Sequence, residues 1–334
     1  MPNKEDCLSP VDIREDNLLA LSAEVLDTLL HDHTTGQNIF WATHDYEALG
    51  SEYDYHSPIL PHLITGEGGM VIRPRALKSR AQQAGRAKDM AEVFTPSWIC
   101  NKQNNLVDEA WFGRGNVFST EIDQPDGTHS WMPTEEKVTF PEGRTWRDYV
   151  NENRLEITCG EAPYLVSRYD TVTGEPIPVE RRIGLLDRKL RIVSENTATS
   201  GEWLKAAQSA FMSIYGYEWQ GDNLVLAREN LLYTFIDYYR AKFGKEPLLK
   251  SLQYIAYIIS WNIWQMDGLK GVVPDTCGER REVVADLFGT TERINQCEGC
   301  KTDNIRRHNG IYALIKDWGA AKPKQKIRFI DLIK

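Results

Sequence analysis

The spacing of hydrophobic residues predicts a chain in which helices alternate with short strands. Residues 18–30 carry leucines and a valine near the 3.6-residue helical period. A second helix is predicted from Pro96 to about Trp111, because Thr95 is a good N-cap and proline is favoured at the first helical position. The spacing of apolar residues over 222–243 predicts a third helix.

Short apolar runs between these helices predict strands. Residues 154–158 (RLEIT) and 213–219 (SIYGYEW) fit strands, and residues 202–212 between them fit a helix. The apolar run 253–264 fits either a helix or a strand, and KIRFIDLI at 326–333 predicts a strand. Strands alternating with helices are typical of a doubly wound, mostly parallel α/β sheet of the Rossmann-like kind. Such a sheet binds ligands at the carboxyl ends of its strands.

Breaks in the pattern divide the chain into three predicted parts. Residues 1–90 form an irregular region with one helix, and residues 91–270 form the α/β domain. Residues 271–334 hold a cysteine-rich knuckle and a terminal strand. Within the α/β domain, glycine, proline and polar residues predict a surface excursion at 113–145, and residues 171–210 fit an insertion.

The charge balance is acidic, yet one segment is strongly basic. The chain has 334 residues and a formal net charge of −9. Nucleic-acid binding therefore needs a local basic patch. The stretch 73–88 holds six basic residues and no acidic one, and its candidate DNA contacts are Arg73, Arg75, Lys78 and Arg80. A solvated linker explains such a run equally well.

The sequence predicts neither a membrane span nor an export signal. It contains no apolar run of about 18 residues, and charged residues interrupt its first apolar stretch. We therefore expect a cytoplasmic protein that makes no membrane contact. In that compartment its six cysteines stay reduced, and clustered cysteines are better interpreted as metal ligands than as disulfides.

A cysteine and histidine cluster predicts a zinc site in the last part of the chain. Cys297 and Cys300 form a C-x-x-C pair, with Cys277 upstream and His308 downstream. Tetrahedral zinc takes four sulfur or nitrogen ligands, which these four residues supply. A redox pair and unrelated buried thiols remain open as alternatives.

Acidic residues at the predicted strand ends favour a nucleotide-type ligand. Glu156 precedes a turn with Cys159 and Gly160, where glycine lets the backbone approach a ligand. Glu218 ends the next strand, where a carboxylate can accept both ribose hydroxyls of an adenosyl group. Asp267 lies near another chain reversal and is the candidate acceptor for the adenine amine. Taken singly, Glu218 and Asp267 are also explained as turn carboxylates.

These elements, preceded by AEVFTP at 91–96, resemble the N6-adenine DNA methyltransferases of type I and type IIG restriction–modification systems. The family's G/A-E-V/F-F-T-P opening matches 91–96, and its D-P-A-C-G-S-G-A-F-L turn matches 156–165 (EITCGEAPYL). Its Y-G-x-D/E pattern, followed by A-R, matches 215–218 and 227–228. The resemblance covers residues 91–270 and implies S-adenosylmethionine as cofactor. The cofactor-binding residues that it implies are Phe94, Thr95, Pro96, Glu156, Cys159, Gly160, Glu218 and Asp267.

The chain also departs from this family. Ala162 stands where the family has a second glycine, and Glu156 to Glu218 spans 62 positions, which indicates an insertion. The N/D-P-P-Y/F tetrapeptide that receives a flipped adenine is not recognisable. Asn262 and Trp264 offer an amide and an aromatic ring, and are the candidates for a divergent catalytic loop. The final residues resemble the strand that precedes the tetrapeptide in the family, so either another polypeptide completes the enzyme or the domain binds without methylating.

Three functions remain open on the sequence. The first is a DNA methyltransferase of a restriction–modification or phage-defence system, with S-adenosylmethionine as donor and adenine N6 as acceptor. The second is a non-catalytic cofactor- or DNA-binding subunit that needs a specificity, nuclease or second methyltransferase subunit as its partner. The third is an enzyme of another class on a similar sheet, such as a methyltransferase for a different acceptor.

Overall fold

The computed structural model describes residues 15–89, 92–93, 95–286 and 289–333. Its helices are α1 (Glu15–Leu21), α2 (Ala23–Leu30), α3 (Pro61–Ile64), α4 (Arg80–Asp89), α5 (Ser97–Phe112), α6 (Trp146–Asn151), α7 (Leu185–Asn196), α8 (Ser200–Met212), α9 (Gly221–Phe243), α10 (Leu249–Asn262) and α11 (Glu298–Thr302). Its strands are β1 (Ser119–Asp123), β2 (His129–Pro133), β3 (Arg154–Glu156), β4 (Ile214–Glu218), β5 (Ile263–Gln265), β6 (Arg280–Asp286), β7 (Gly289–Asn295), β8 (Leu314–Lys316) and β9 (Lys326–Arg328). Helices and strands therefore alternate over the middle of the chain.

A three-stranded parallel sheet joins segments that are far apart in sequence. Its strand order is β3-β4-β5, with Leu155 opposite Tyr215 and Glu218 opposite Gln265. Helices α7 and α8 connect β3 to β4, and α9 and α10 connect β4 to β5. Parallel strands need such crossover connections. The carboxyl ends of β3 and β4 consequently lie side by side.

The two faces of this sheet are covered differently. Ile214 and Ile263 belong to the main hydrophobic core, to which helices α7 to α10 contribute their apolar faces. Tyr217 and Trp264 point to the opposite face and pack with Ile315 of the β8–β9 hairpin in a smaller cluster. The protein is therefore a mixed α/β protein with a small parallel sheet. A wider, doubly wound sheet stays a prediction.

Most predicted elements are present, with shifted ends. Helix α5 has Pro96 rather than Thr95 as its N-cap. The ambiguous run 253–264 is helical through Asn262 and then enters β5. The excursion at 113–145 contains the antiparallel β1–β2 hairpin.

Two predicted elements are wrong in part. The sequence at 161–170 predicts a helix-like run after the Gly160 turn, but the next α-helix of the described residues is α7, which begins at Leu185. Pro163 lacks an N–H and Ala162 has a φ of +63°, and both features interrupt a helical repeat. The predicted terminal strand ends at Arg328, because this residue lies opposite Leu314, where its antiparallel partner β8 begins, and a 3-10 turn follows.

The described helices also bear on membrane contact. None of them combines the length and the apolar character that are needed to cross a bilayer. The longest, α9, carries charged residues along its length, including Arg228, Glu229 and Asp237. Its apolar residues are buried in the main hydrophobic core.

Candidate cofactor pocket and metal centre

A cavity of about 750 Å³ opens at the carboxyl ends of β3 and β4. Five residues predicted from the sequence line it together: Thr95, Glu156, Cys159, Gly160 and Glu218. Small-molecule sites commonly have volumes of roughly 300–1,000 Å³, so the cavity is large enough for a nucleoside-containing ligand. Its position matches the ligand-binding edge of open α/β sheets.

The turn after β3 is pinned to β4 beside this cavity. The Gly160 N–H donates to Glu218 Oε2 at 2.8 Å, and the Cys159 N–H donates to the Tyr217 carbonyl at 2.9 Å. The turn takes left-handed φ values of +46° at Thr158, +52° at Gly160 and +63° at Ala162. Only glycine adopts this region without steric strain. The chain therefore holds a strained backbone at the wall of the cavity.

Thr158 gives a direct test of this strain. A β-branched residue at positive φ is a conformational outlier, and the left-handed region costs an L-residue about 1–2 kcal/mol. The Thr158 side chain is exposed, and its hydroxyl donates only to the Ile157 carbonyl at 2.8 Å. We expect Thr158→Gly to raise the free energy of unfolding in urea by about 1 kcal/mol. Thr158→Ala, which keeps the Cβ, is the control, and equal stability of the two variants would contradict the strain.

Two buried carboxyl groups face the cavity. Glu156 accepts hydrogen bonds from the Tyr164 N–H at 3.3 Å and the Leu165 N–H at 3.1 Å. Burial raises the pKa of Glu156 to about 8, although these two N–H groups oppose the shift. Burial also raises the pKa of Glu218, against the N–H groups of Gly160 and Gln220. A positively charged ligand would favour the ionised form of both groups.

The cavity wall also holds hydrogen-bond acceptors without partners. The Asn223 amide donates to Glu92 Oε2 and to Gln220 Oε1, at 3.0 Å each. Among the described residues, Glu92 Oε1 and Asn223 Oδ1 have no hydrogen-bond partner, although both residues line the cavity. An unsatisfied buried acceptor costs about 1–3 kcal/mol. These acceptors therefore fit a ligand that brings N–H or O–H groups and positive charge.

The Arg86 side chain bonds to two residues that line the cavity, Glu92 and Gln220. Its guanidinium lies 2.6 Å from Glu92 Oε2, 2.6 Å from Gln220 Oε1 and 2.9 Å from Asp222 Oδ2. It also reaches Asp45 Oδ2 at 2.6 Å, while its own side chain is 4% exposed. The network ties α4 to the start of α9. The basic stretch at 73–88 therefore packs against the rest of the protein through Arg86 and does not form a linker.

Lys78 joins the same network. Its ammonium lies 3.4 Å from Asp222 Oδ2, and its side chain is only 7% exposed. Although burial alone would raise the pKa of Asp222, the charges of Arg86 and Lys78 hold this pKa far below its usual range. Arg75 is half-buried, and its backbone N–H donates to Glu161 Oε1 at 2.6 Å. Of the four predicted DNA contacts, Arg73 and Arg80 are the two with exposed side chains.

The remaining cofactor predictions divide into three cases. Phe94 lies outside the described residues. Pro96 caps α5 and does not line the cavity. Asp267 accepts the N–H groups of Leu269 at 2.9 Å and Lys270 at 3.2 Å, so its carboxylate closes its own turn. It does not line the cavity, and the geometry therefore does not support its assignment to the adenine amine.

The two candidate catalytic residues are both buried. Asn262 is 1% exposed, and its amide donates to the carbonyls of Phe211 and Ile214. Its oxygen accepts the Trp318 indole N–H at 2.9 Å. Trp264 is 2% exposed within the smaller core cluster. Since all polar atoms of Asn262 are engaged and neither side chain reaches the cavity, their assignment as a catalytic loop is not supported.

Several cavity residues were missed in the sequence, among them Lys88, Tyr164, Trp219 and Asn223. Trp219 follows Glu218 directly, so an aromatic residue after a strand-end carboxylate was a usable signal. Lys88 and Asn223 give no local signal, because α4 and α9 meet only through the Arg86 network. Long-range ion pairs of this kind cannot be read from spacing.

The four predicted metal ligands meet in one cluster. Cys277 Sγ lies 3.3 Å from Cys297 Sγ, 3.6 Å from Cys300 Sγ and 3.3 Å from His308 Nδ1. The His308 nitrogen lies 3.6 Å from each of the other two sulfurs. Ligand atoms around a tetrahedral zinc are roughly 3.5–3.8 Å apart, as zinc–sulfur and zinc–nitrogen bond lengths imply. The arrangement can therefore hold one metal ion.

Local structure explains how the cluster assembles. The antiparallel β6–β7 hairpin, with Arg280 opposite Asn295, brings Cys277 close to Cys297. The Asn309 N–H donates to Cys297 Sγ at 3.4 Å. A Cβ at Gly299 would lie 2.6 Å from the backbone nitrogen and from Nδ1 of His308. Glycine is thus required in the C-x-x-C pair for the close approach of the histidine.

Comparisons with protein-family models, with curated proteins and with solved structures each find no match to this chain. The established features are those of the molecule itself: a mixed α/β fold with a small parallel sheet, and a cavity at its strand ends. A cluster of three cysteines and one histidine near the carboxyl terminus, able to bind a metal ion, completes them.

Proposed function

We propose that this chain is the S-adenosylmethionine-binding part of a DNA methyltransferase of the restriction–modification kind, with adenine N6 as the acceptor. One observation carries the proposal. Residues from three separate motifs that resemble the family line a single cavity: Thr95 from the first, Glu156, Cys159 and Gly160 from the second, and Glu218 from the third. Their sequence separation makes this convergence informative.

The strand order supports the same proposal. The strands β3, β4 and β5 follow one another both in sequence and in space. This order corresponds to one half of a doubly wound sheet, in which the first strand, here β3, borders the topological switch point. Ligands of such sheets bind beside that strand, at its carboxyl end. The proposal therefore includes a wider Rossmann-like sheet of which β3 to β5 are one half.

The cavity residues fit the parts of this cofactor. In this proposal Glu218 accepts ribose hydroxyls, and Gly160 lets the backbone approach the cofactor closely. The free acceptors of Glu92 and Asn223 suit an ammonium group, and the carboxylates suit a sulfonium charge. When bound, the cofactor supplies an electrophilic methyl group. The chain's own contribution is to bind and orient that donor.

DNA contact is proposed through the exposed part of the basic stretch. Neutralising Arg73 and Arg80 together should flatten the dependence of DNA affinity on salt by about two phosphate contacts, at roughly 0.9 per contact. Filter binding at several salt concentrations measures this slope. Lys245, just after the carboxyl end of α9, and Lys250, in the first turn of α10, are exposed, and Lys245→Ala with Lys250→Ala is the matched control. Equal slopes for the two double variants would remove the stretch from the DNA interface.

A second candidate function is favoured by the burial of Asn262 and Trp264. Since neither side chain reaches the cavity, neither would receive a flipped adenine there, and the chain would act as a cofactor-binding subunit with a partner polypeptide. Transfer of a radiolabelled methyl group to DNA distinguishes the two. We expect the chain alone to bind the cofactor with little or no transfer, since orienting the acceptor supplies much of the rate. Sustained transfer by the chain alone would overturn the subunit proposal.

We also propose that zinc occupies the cluster of Cys277, Cys297, Cys300 and His308. Three sulfurs and one imidazole nitrogen at these distances match the ligand preference of zinc. A redox pair needs only two thiols and would leave the convergence of Cys277 and His308 unexplained. The proposal includes a reducing compartment such as the cytoplasm, because the three thiols must stay reduced to bind metal.

A further inference from the structure

Trp219 connects the cofactor cavity with the metal centre. It lines the cavity and also a shallow cleft beside it, whose wall includes Tyr55 and Asp275. The indole N–H of Trp219 donates to the Tyr55 hydroxyl at 2.9 Å. Asp275 lines the same cleft, with its carboxylate facing the Tyr55 hydroxyl. Asp275 precedes the metal ligand Cys277 by two residues.

The direction of the hydrogen bond between Trp219 and Tyr55 is fixed. An indole N–H can only donate, so the Tyr55 oxygen must accept from Trp219, and its own proton is left to turn toward Asp275. Burial and the neighbouring Asp275 carboxylate raise the pKa of Tyr55, which keeps the phenol protonated at neutral pH. The Tyr55 carbonyl accepts the Ala42 N–H at 2.8 Å, which anchors the tyrosine to the amino-terminal segment. The Trp219 indole is therefore oriented through a single tyrosine.

The position of Asp275 depends on the segments that carry the metal ligands. The Val273 N–H donates to the Ile311 carbonyl at 2.8 Å, and the Ile311 N–H donates to Thr276 Oγ1 at 3.0 Å. A Cβ at Gly310 would lie 2.9 Å from Thr276 Oγ1, so the two segments are in close contact. One segment leads into Cys277 and the other follows His308. A metal ion bound to both residues would lock this contact.

We propose that the metal centre positions Trp219 in the cofactor cavity through Asp275 and Tyr55, so that metal binding and ligand binding strengthen each other. Tyr55 and Asp275 are positioning residues, since neither needs to touch the ligand. This inference rests on the proposed cofactor pocket. Energetic coupling between two sites is reciprocal and commonly amounts to 5- to 150-fold in affinity.

The test measures ligand affinity with and without metal. Calorimetry with S-adenosylhomocysteine on the full chain, zinc-loaded and zinc-depleted, should give about tenfold weaker binding after metal removal. Tyr55→Phe removes the hydroxyl that links Trp219 to Asp275 and keeps the ring. This variant should bind weakly in both states, with little remaining dependence on metal. Asp275→Gly, which suits the φ of +56° at this position, removes the carboxylate that faces the Tyr55 hydroxyl and should reduce the dependence in the same way.

A second measurement does not require the ligand. Zinc added to depleted protein should change tryptophan fluorescence, and that change should shrink in Trp219→Phe and in Tyr55→Phe.

If the wild-type chain binds the ligand equally well with and without metal, the coupling is refuted and the cofactor pocket stands. If zinc-loaded chain binds no ligand, the proposed function fails, and the fluorescence change alone decides the coupling. If metal removal unfolds the chain, only zinc-loaded protein can be compared. Equal affinity of zinc-loaded wild type and zinc-loaded Tyr55→Phe for S-adenosylhomocysteine then refutes the coupling.

Discussion

Replacing Cys297 with serine should reduce the bound zinc from about one ion per chain to none. A serine hydroxyl is a poor zinc ligand, and three remaining ligands leave the tetrahedral site open. Binding at structural zinc sites is worth about 10–16 kcal/mol in zinc-finger peptides, so the segments around β6–β7 should lose their order with the metal. Elemental analysis of protein purified without chelator measures the occupancy. Circular dichroism follows the fold.

Two further variants make this prediction specific. Cys100→Ser changes a buried thiol outside the cluster and should keep the full zinc content. Gly299→Ala keeps all four ligands, but its Cβ would collide with His308, so it should lower the occupancy. Metal-free wild-type protein that is fully folded, or equal zinc content in Cys297→Ser and Cys100→Ser, would contradict the assignment.

Removing the Arg86 side-chain charge should be the most destabilising change near the cavity. Arg86→Met leaves the buried carboxylates of Asp222 and Glu92 without their main partner, and breaking a buried ion pair in this way costs about 3–5 kcal/mol. Urea denaturation measures the loss. The matched control is Arg240→Met, since Arg240 pairs with Glu246 on the surface and both side chains are at least half exposed. Surface pairs of this kind contribute about 0–1 kcal/mol.

The same ion pair predicts a dependence of stability on pH. Because the folded pKa of Asp222 is depressed, its contribution is present above the unfolded value of about 3.9 and is lost as the pH falls through the folded value. Wild-type protein should therefore lose more stability on acidification than Arg86→Met does. If Arg86→Met lowers the free energy of unfolding at neutral pH no more than Arg240→Met does, or if wild type and Arg86→Met lose equal stability on acidification, the network does not hold the wall.

Local chemistry explains which parts of the fold were predictable. The helix at 221–243 was predictable because apolar residues recur at helical spacing along it and a glycine follows its carboxyl end. The four residues of the metal cluster were found because cysteine and histidine are rare and a single hairpin brings them together. The run after Gly160 was misread, since left-handed φ values depend on the turn being pinned to β4.

The parts that could not be predicted depend on distant partners. Lys78 looks like a solvent-exposed DNA contact in the sequence, but its carboxylate partner is 144 residues away. Asn262 looks like a catalytic amide, but its partners are carbonyls of α8 and β4 and the indole of Trp318. Charge and amide groups are interpretable only once their partners are known. The spacing of residues along the chain does not identify these partners.

Calorimetric titration of the purified full chain with S-adenosylmethionine tests the central proposal most directly. We expect one molecule bound per chain, with Glu218→Ala weakening the affinity by about 1–3 kcal/mol, the scale of hydrogen bonds to a charged group. Asp267→Asn should leave the affinity unchanged, because the Asp267 carboxylate is used in its own turn. Absence of binding, or equal affinity of wild type and Glu218→Ala, would contradict the cofactor pocket at the ends of β3 and β4.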